Sequence, residues 1–339
     1  MIYGDAGDQM TFLERTQNLL FTAMCSLSKP NYISNWQPVF EGYSPDFPNL
    51  MDLINRNSLV FINSEPLIDF PAPSAARMID IGGISISNHF SPLNKTWSDI
   101  LDLRPHTVLI SFGTFVKSFL MPDAYKQTIR ETARRFPNVT FIWKYEKPED
   151  GMSEGIANLI ETTWMPQKDL INDPRLSLFV THGGQGSFME SSYAGVPLIT
   201  IPVEFDQLRN GASVKKHKQG IVLTKEDLAT VEPLESAIRE ILENSQYRQQ
   251  AKKIQQTLNE RPFAMRDIFV KNMEFLAKHG PLRQLDHYGR HLNYFQYYLV
   301  DVIAFIGFVV ISVLVVLVLA LKFCICCVVR KCSSKVKAE

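Results

Sequence analysis

The segment FVTHGGQGSFMESSYAGVPLITIP (Phe179–Pro202) decides the fold. An apolar run ends in Thr-His-Gly-Gly, a short segment of helical composition follows, and a second apolar run leads to Pro202. This order predicts a strand, a turn, a helix and a second strand. The two glycines let backbone N–H groups approach a ligand closely, and the helix directs its positive end to the same place. The segment therefore predicts an anion-binding turn at the end of a buried strand.

Strands and helices alternate over residues 105–280, where we predict a complete Rossmann-like α/β domain. Short apolar runs indicate buried strands, and their alternation with helical segments favours a parallel sheet covered on both faces. The predicted strands are His106–Thr114, Val139–Tyr145, Leu176–Val180, Val196–Ile201 and Gly220–Thr224. The predicted helices are Pro122–Arg135, Ser187–Tyr193, Asp206–His217 and a group between Glu232 and Ala277.

Residues 1–104 contain too few strand signals for a complete sheet domain, so we predict a partial N-terminal domain. Apolar residues at helical spacing predict an amphipathic helix over residues 8–28. A short helix is expected at Leu50–Asn55, with strands at Ser58–Ser64 and Met78–Ile84. Such a half-built segment should leave apolar surface uncovered.

A membrane helix is the strongest physical signal in the chain. Val302–Leu321 carries no charge, and a helix of about 20 residues extends roughly 30 Å, enough to cross a lipid bilayer. We place the span at residues 300–322, after a juxtamembrane linker at 281–299 and before a basic tail at 323–339. Aromatic residues before the span and positive charge after it predict a single-pass protein with a cytoplasmic tail. The alternative, a buried core helix, rarely runs this long without a polar residue.

Composition and motifs disfavour several functional classes. The 339 residues carry zero net charge and no long basic stripe in the soluble part, which argues against a nucleic-acid partner. No Asp-x-Asp motif is present, and His182 lacks neighbouring ligands at metal-binding spacing, so we expect no metal. No Gly-x-Gly-x-x-Gly follows a strand, so no dinucleotide cofactor is expected. Four of the five cysteines follow the span, where they are either acylated or plain apolar residues.

Several short motifs bear on the cellular compartment. Asn94-Lys-Thr96 and Asn138-Val-Thr140 are N-glycosylation sequons, which fit a luminal domain. Lys335-Val-Lys-Ala-Glu339 resembles an endoplasmic reticulum retrieval signal, although ordinary positive-inside charge explains it as well. The N-terminal residues have no apolar leader, so either the membrane helix directs insertion or the sequence starts after its natural beginning. We expect a protein of the endoplasmic reticulum membrane with a luminal soluble part.

Three predicted strand ends carry small or polar residues, and open parallel sheets bind ligands outside such carboxyl ends. The three segments are Ser111–Thr114, Thr181–Gly184 and Glu204–Gln207. His182 leads into a helix with Ser187 in its first turn and Glu190 about one turn later. Taken singly, these residues would be a satisfied histidine, a helix cap and a solvated carboxylate. Together they favour a diphosphate at the helix start and a ribose one turn deeper.

The residues between Trp164 and Asn210 resemble the donor-binding signature of the UDP-glycosyltransferases. The matching positions are Trp164–Gln167, Leu170, Asp173, Phe179, His182–Gly184, Ser187, Glu190, Gly195–Pro197, Pro202, Asp206–Gln207 and Asn210. The segments DQMTFLER, NSEPLIDFP and LNYFQYYLVDVIAF are similar to the membrane-bound UDP-glucuronosyltransferases of animals. The resemblance covers almost the whole chain and implies a GT-B-like fold with a complete C-terminal donor-binding domain.

The resemblance also implies residue roles. Trp164 would stack on uracil and Gln167 would hold the nucleoside, unless Trp164 is simply a core residue. His182 and the following N–H groups would take the diphosphate, helped from the first strand end, while Glu190 would accept from ribose and Asp206–Gln207 would bind sugar hydroxyls. The predicted donor-binding residues are Ser111, Gly113, Thr114, Lys144, Trp164, Gln167, His182, Gly183, Gly184, Ser187, Glu190, Asp206 and Gln207.

Lys144 stands where many family members have an arginine. A lysine is a point charge without the bidentate geometry that suits a carboxylate, so a sugar carboxylate would be recognised less specifically here. The identity of the sugar, glucuronate or glucose, therefore stays open.

The resemblance implies inverting transfer of a hexosyl group from a UDP-sugar to a small lipophilic acceptor. The family's general base is a histidine in the first strand–helix loop of the N-terminal domain, backed by an aspartate, and we expect this chain to begin after both. His89 and His106 do not match that context, so the catalytic residue is unknown. We expect a family transferase that is inactive alone. The alternative is a non-catalytic membrane partner that binds UDP-sugar or forms homo- or hetero-oligomers with full-length homologues.

Overall fold

A computed structural model describes residues 8–86 and 91–336, and the chain divides into two compact units after Pro281. The helices of the first unit are α1 (Phe12–Ser34), α2 (Gln37–Tyr43), α3 (Leu50–Asn55), α4 (Lys95–Leu101), α5 (Asp123–Arg135), α6 (Gln167–Asn172), α7 (Gln185–Ala194), α8 (Gln207–Lys216), α9 (Val231–Glu243), α10 (Ser245–Asn259) and α11 (Met265–His279). Its strands are β1 (Val60–Ile62), β2 (Met78–Asp80), β3 (His106–Ser111), β4 (Val139–Lys144), β5 (Leu159–Thr162), β6 (Leu176–Thr181), β7 (Leu198–Thr200) and β8 (Gly220–Val222).

Strands β3 to β8 form one parallel sheet in the order β5-β4-β3-β6-β7-β8. The chain first moves outward from β3 to β5 and then returns to β6 on the other side of β3, which is the Rossmann order. The predicted Rossmann-like domain is therefore confirmed. Because the order reverses between β3 and β6, the ends of these two strands lie side by side, with Ser111 paired to Thr181.

Helices cover both faces of this sheet. On one face, Val108 and Phe141 pack in a cluster with residues of α5 and α9. On the other face, Leu109 and Ile142 pack with residues of α6, α7 and α10. Successive residues of a strand point to opposite faces, so the central positions of these strands are apolar or small, and the charged or exposed residues His106 and Lys144 stand at strand ends. This explains why the strands read as continuous apolar runs in the sequence.

In the N-terminal part of the first unit, the region of β1 and β2 has buried side chains, whereas helices α1 to α3 are mostly exposed. β1 and β2 form a small parallel sheet, and Ile68, which lies between them in the chain, is buried in the same cluster as Leu170 of α6. Glu65 is fully buried and forms an ion pair with Arg261, between α10 and α11. Helices α2 and α3 contain no buried residue, and α1 leaves large apolar side chains such as Leu20 exposed.

The second unit contains α12 (Tyr294–Tyr297) and α13 (Val300–Val336). Within α13, Val300–Phe323 is 24 residues long, has a mean hydropathy of 3.4 and is not buried. By length and composition this segment can cross a membrane, in agreement with the predicted span. The helix continues to Val336, so the basic tail begins as helix.

The structure differs from the sequence-based prediction in several places. β5 was not predicted, because its four residues include the polar pair Glu161 and Thr162 at the edge of the sheet. The helix after the Gly-Gly turn begins at Gln185 instead of Ser187, and α1 continues to Ser34. The group between Glu232 and Ala277 is three helices, α9 to α11. The boundary between residues 104 and 105 stays a prediction, since both sides belong to one compact unit.

Candidate functional site

The turns after β3 and β6 meet where the strand order reverses. Gly113 in the first turn has φ 85° and Gly183 in the second has φ 78°, values that disfavour any residue with a Cβ atom. A Cβ on Gly113 would lie 2.7 Å from His182 Cε1, and a Cβ on Gly184 would lie 2.5 Å from His182 Nε2. The imidazole of His182 therefore lies in a slot between two glycine backbones, which we call the His182 slot.

A third strand end reaches the same slot from β4. Lys144 is the last residue of β4, and its Nζ donates a hydrogen bond of 2.7 Å to the carbonyl oxygen of Gly113. β4 is the neighbour of β3 in the sheet, so the lysine reaches the turn that follows β3. Ser111 is fully buried and its Oγ accepts from the N–H of Gly113 at 3.4 Å, while Thr114 is exposed.

The electrostatic surroundings of His182 favour its neutral form. Burial lowers the pKa of His182, the carboxylate of Asp206 acts in the opposite direction, and the Lys144 cation lowers the pKa further. His182 Nδ1 lies 3.3 Å from the hydroxyl oxygen of Thr181. If that hydroxyl donates to Nδ1, the remaining ring nitrogen, Nε2, carries the hydrogen and can donate it to an anion.

The segment before α8 braces the start of α7. Asp206 Oδ2 accepts from the N–H of Gln185 at 3.1 Å and from Asn210 Nδ2 at 3.0 Å. A carboxylate at this position is favourable, because the amino end of a helix carries partial positive charge. Gln207 is buried, and its Oε1 accepts from two backbone N–H groups, those of Val203 at 2.8 Å and Glu204 at 3.1 Å. Both predicted sugar-binding side chains thus also hold the loop in place.

A second polar cluster joins the first turns of α6 and α7. Gln167 Nε2 donates to Glu190 Oε2 at 2.8 Å and lies 3.4 Å from Ser187 Oγ. Burial raises the pKa of Glu190, and the hydrogen bond from Gln167 partly offsets this effect. Ser187 is buried and does not cap α7, whose N-cap is Gly184. The structure therefore contradicts the reading of Ser187 as a cap, and it shows Glu190 as a half-buried, hydrogen-bonded side chain.

Trp164 lies just before this cluster, in the turn between β5 and α6. Its side chain is 68% exposed, so the alternative that it belongs to the core is wrong. The hydroxyl of Thr162 donates to the Trp164 carbonyl oxygen at 2.6 Å, which fixes the backbone of the turn. An exposed indole on this hydrogen-bonded turn offers a flat apolar face to a planar ligand.

The structure places the other candidates elsewhere. His106 begins β3, at the opposite end of the sheet, with Nδ1 3.3 Å from Ser177 Oγ, and His89 lies outside the described residues. Among residues 8–86 and 91–336, no three His, Cys, Asp or Glu side chains could share a metal ion. A cavity of about 790 Å³ lies between β8 and α10, lined by Lys215, Lys218 and Lys253, but it does not include the predicted site residues.

Known proteins resemble this chain along most of its length. The family described as UDP-glucoronosyl and UDP-glucosyl transferase matches residues 1–338. Human UDP-glucuronosyltransferase 1A5 is 27% identical over 312 residues, covering 90% of this chain and 56% of that protein. UDP-glucosyltransferase 2 of Dactylopius coccus is 29% identical over 265 residues, covering 78% of this chain and 50% of that protein. The chain thus spans about half the length of the curated relatives it matches.

A solved structure supports the fold. The crystal structure of UDP-glucose: anthocyanidin 3-O-glucosyltransferase in complex with UDP has a TM-score of 0.54 and 19% identity, covering 66% of this chain and 54% of that one. At this identity the likeness concerns the fold alone, and it confirms the predicted GT-B-like class.

Proposed function

The chain belongs to the UDP-glucoronosyl and UDP-glucosyl transferase family, and we propose that it binds a UDP-sugar whose hexosyl group is transferred to a small lipophilic acceptor. One observation carries this proposal. The His182 slot and the Gln167–Glu190 pair lie at the same end of the sheet, at the starts of α7 and α6. UDP needs such a combination, with donors for its diphosphate next to acceptors for its ribose.

The donor would lie across the carboxyl ends of β3, β6 and β5. We propose that uracil stacks on the exposed indole of Trp164 and that the ribose hydroxyls donate to Glu190, which Gln167 holds in place. The diphosphate would accept from His182 and from the N–H groups that follow it at Gly183 and Gly184. Proximity to these neutral donors stabilises the diphosphate charge without a metal ion.

The sugar would lie toward the loop before α8. Asp206 already uses Oδ2 for Gln185 and Asn210, and we propose that its other oxygen, Oδ1, accepts from a sugar hydroxyl. Gln207 has its Oε1 bound to the loop backbone, so its Nε2 group would contact the sugar. An inward-facing carboxylate suits the hydroxyls of a hexose, whether the hexosyl group is glucose or glucuronate.

The reaction would be a direct displacement at the anomeric carbon. The acceptor oxygen forms its bond to that carbon as the bond to the UDP oxygen breaks, so the configuration inverts and UDP leaves with the electron pair. A general base must take the acceptor proton. We assign no described residue to that role, because His106 lies at the far end of the sheet. We propose that the chain does not turn over alone, because a transferase without a general base would be slower by about 10²- to 10⁴-fold.

The exposed apolar surface of α1 to α3 favours a second candidate function. Leu20, Trp36 and Tyr43 are all at least half exposed, and large exposed apolar surfaces often mark interaction sites. A non-catalytic partner that binds UDP-sugar and pairs with a related full-length transferase would cover it. Acceptor-dependent UDP release by the purified chain would exclude this alternative, and it would also overturn the proposal that the chain does not turn over alone.

We propose the endoplasmic reticulum membrane as the location, with the first unit in the lumen. The apolar segment of α13 supports membrane insertion, and the basic residues after it favour a cytoplasmic tail. Asn94 and Asn138, which begin the two sequons, are both exposed. Of the retrieval-signal lysines, Lys337 lies outside the described residues. Protease added to sealed microsomes should remove the tail only, and cleavage of the first unit would contradict this topology.

Titration calorimetry of the full chain in detergent tests the donor site. We expect UDP to bind in the presence of EDTA, and to bind more tightly than uridine because of the diphosphate. His182→Ala should weaken UDP binding by about 1 to 3 kcal/mol, the usual effect of losing a hydrogen bond to a charged group. His106→Ala, at the other end of the sheet, is the matched control. Unchanged affinity in His182→Ala, or a strict metal requirement, would exclude the site.

A further inference from the structure

Lys144 and His182 both contact the turn at Gly113, which lies between them. The Lys144 ammonium group donates to the carbonyl oxygen of Gly113, and a Cβ on Gly113 would lie 2.7 Å from Cε1 of the His182 ring. The φ of 85° at Gly113 gives the turn a conformation that most residues avoid, so a fixed partner for its carbonyl matters for keeping it. The lysine therefore holds one wall of the His182 slot, and Gly184 forms the other.

The charged groups that face His182 come from two elements. β4 contributes Lys144 and the start of α8 contributes Asp206, while β6 contributes the neutral hydroxyl of Thr181. Glycines 113 and 184 face the ring from β3 and α7 and bring no charge. Burial and the lysine cation both lower the pKa of His182, and Asp206 opposes them. The lysine is thus the cation that disfavours protonation of this ring.

We propose that Lys144 is a positioning residue that holds the Gly113 peptide, and through it the His182 ring, in the orientation that meets the donor diphosphate, and that it takes no part in reading the sugar. This inference rests on the proposed function of the site. It departs from the sequence-based expectation that Lys144 recognises a sugar carboxylate. The reason is geometric, because the ammonium group points to the turn after its neighbouring strand.

Binding measurements on Lys144→Met separate these roles. The variant removes the ammonium group and keeps a similar stem. We expect its affinity for uridine to stay within about twofold of wild type, and its affinity for UDP to fall about tenfold, equivalent to about 1.4 kcal/mol. UDP-glucose and UDP-glucuronate should fall by the same factor as UDP. Lys144→Arg should keep most of the UDP affinity, because it retains a cationic donor.

Lys147→Met is the matched control for the change in charge. Lys147 lies shortly after Lys144 in the chain, and its ammonium group rests over the ring of Phe119, 4.6 Å from the centroid. We expect this control to leave the affinities for uridine and UDP unchanged. An equal loss in both lysine variants would show a general charge effect and would overturn the proposal.

A double-mutant cycle with His182→Ala shows whether the lysine acts through the histidine. If it does, Lys144→Met should cost less than about twofold in UDP affinity once His182 is absent. NMR titration of labelled histidine should also show the pKa of His182 rising in Lys144→Met, because a nearby cation is removed. That rise would show that the ammonium group lies close to the ring, while the double-mutant cycle and the separate losses of uridine and UDP affinity test the positioning role.

Besides an equal loss in both lysine variants, four further results would overturn the proposal. Additive losses in the double mutant would indicate direct contact between Lys144 and the diphosphate. A selective loss of UDP-glucuronate would show that Lys144 reads the sugar, and an equal loss of uridine would indicate a misfolded domain. A wild-type chain that binds no UDP would overturn the proposed function together with this inference. That failure is seen in the wild type, before any variant is measured, whereas a failure of the inference alone is seen only in the variants.

Discussion

The sheet domain and helices α1 to α3 place the same amino acids in different surroundings. Leu170 in α6 is 0% exposed between the sheet and its covering helices, whereas Leu20 in α1 is 66% exposed. Residues 58–86 pack against the sheet domain, since Ile68 is 2% exposed and Glu65 is fully buried. Along the chain, the change from exposed to buried apolar side chains therefore falls between α3 and β1, well before the predicted boundary at residue 104. Within the described part of the chain, no element packs over the exposed apolar side chains of α1 to α3.

The largest expected effect tests whether residues 58–86 behave as part of the sheet domain. Arg261→Met removes the cation paired with the buried Glu65 carboxylate and leaves it only neutral hydrogen-bond donors, and breaking a buried ion pair from one side typically costs about 3 to 5 kcal/mol of stability. Urea denaturation of the full chain in detergent measures this free energy of unfolding. Arg266→Met, an exposed position shortly after, is the control and should change stability by less than about 0.5 kcal/mol. A loss below about 1 kcal/mol in Arg261→Met would mean that this contact does not tie the two parts together.

Matched leucine substitutions sharpen the comparison between the two regions. Leu170→Ala should destabilise the chain by about 2 to 5 kcal/mol, because it removes buried apolar contacts and leaves a cavity. Leu20→Ala should change stability by less than about 0.5 kcal/mol, because its side chain is mostly exposed. The same denaturation experiment measures both variants. A large loss in Leu20→Ala would show that α1 is covered in solution, by a second copy or by lipid or detergent.

The contrast between these regions also explains what the sequence could predict. The strands of the sheet domain are buried on both faces, so β3, β4 and β6 read as unbroken apolar runs and their ends could be located. β5 lies at the sheet edge with half-buried positions, so its pattern is mixed and it was missed. The amphipathic pattern of α1 predicted a helix, but a pattern cannot show whether its apolar face is covered.

The residues of the candidate site could be predicted from the sequence, but the contacts between them could not. Parallel strand order brings the ends of β3 and β6 together, so the meeting of the Ser111–Thr114 and Thr181–Gly184 segments follows from topology. The hydrogen bonds from Lys144 to Gly113 and from Gln185 to Asp206 join residues that are distant in the sequence. Whether a side chain reaches its partner depends on positions in the folded chain, which the sequence pattern does not give. The space available beside each glycine is likewise visible only in the folded chain.

A pair of glycine substitutions tests the His182 slot. Gly184→Ala would place its Cβ 2.5 Å from His182 Nε2, and overpacking of this kind costs about 1 to 3 kcal/mol. We expect UDP affinity to fall at least tenfold, because the ring must leave its position. Gly186→Ala is the control, since a Cβ there meets nothing within 4 Å and alanine favours a helix. Equal UDP affinity in the two variants would show that the slot does not position His182 for binding.

The smallest expected effect is the dependence of stability on pH through His182. Burial lowers the pKa of His182 from 6.5, so below that pH the unfolded chain binds a proton on this ring that the folded chain resists. The contribution of the ring to stability is therefore present above about pH 6.5 and is lost as the pH falls through the folded pKa. One proton accounts for at most about 1.4 kcal/mol per pH unit.

His182→Asn should consequently lose less stability than wild type between pH 7.5 and pH 5.5, measured by urea denaturation at both values. Burial also lowers the pKa of His217, which stays in both proteins and so contributes equally to each. The comparison therefore isolates the ring in the slot. Lys144→Met should weaken the same dependence, because removing the cation raises the folded pKa of His182 toward its unfolded value and so reduces the difference in proton binding between the two states. An identical pH dependence in wild type and His182→Asn would mean that the ring is protonated as readily in the slot as in the unfolded chain, and His182 would then lack the burial that distinguishes the sheet domain from α1.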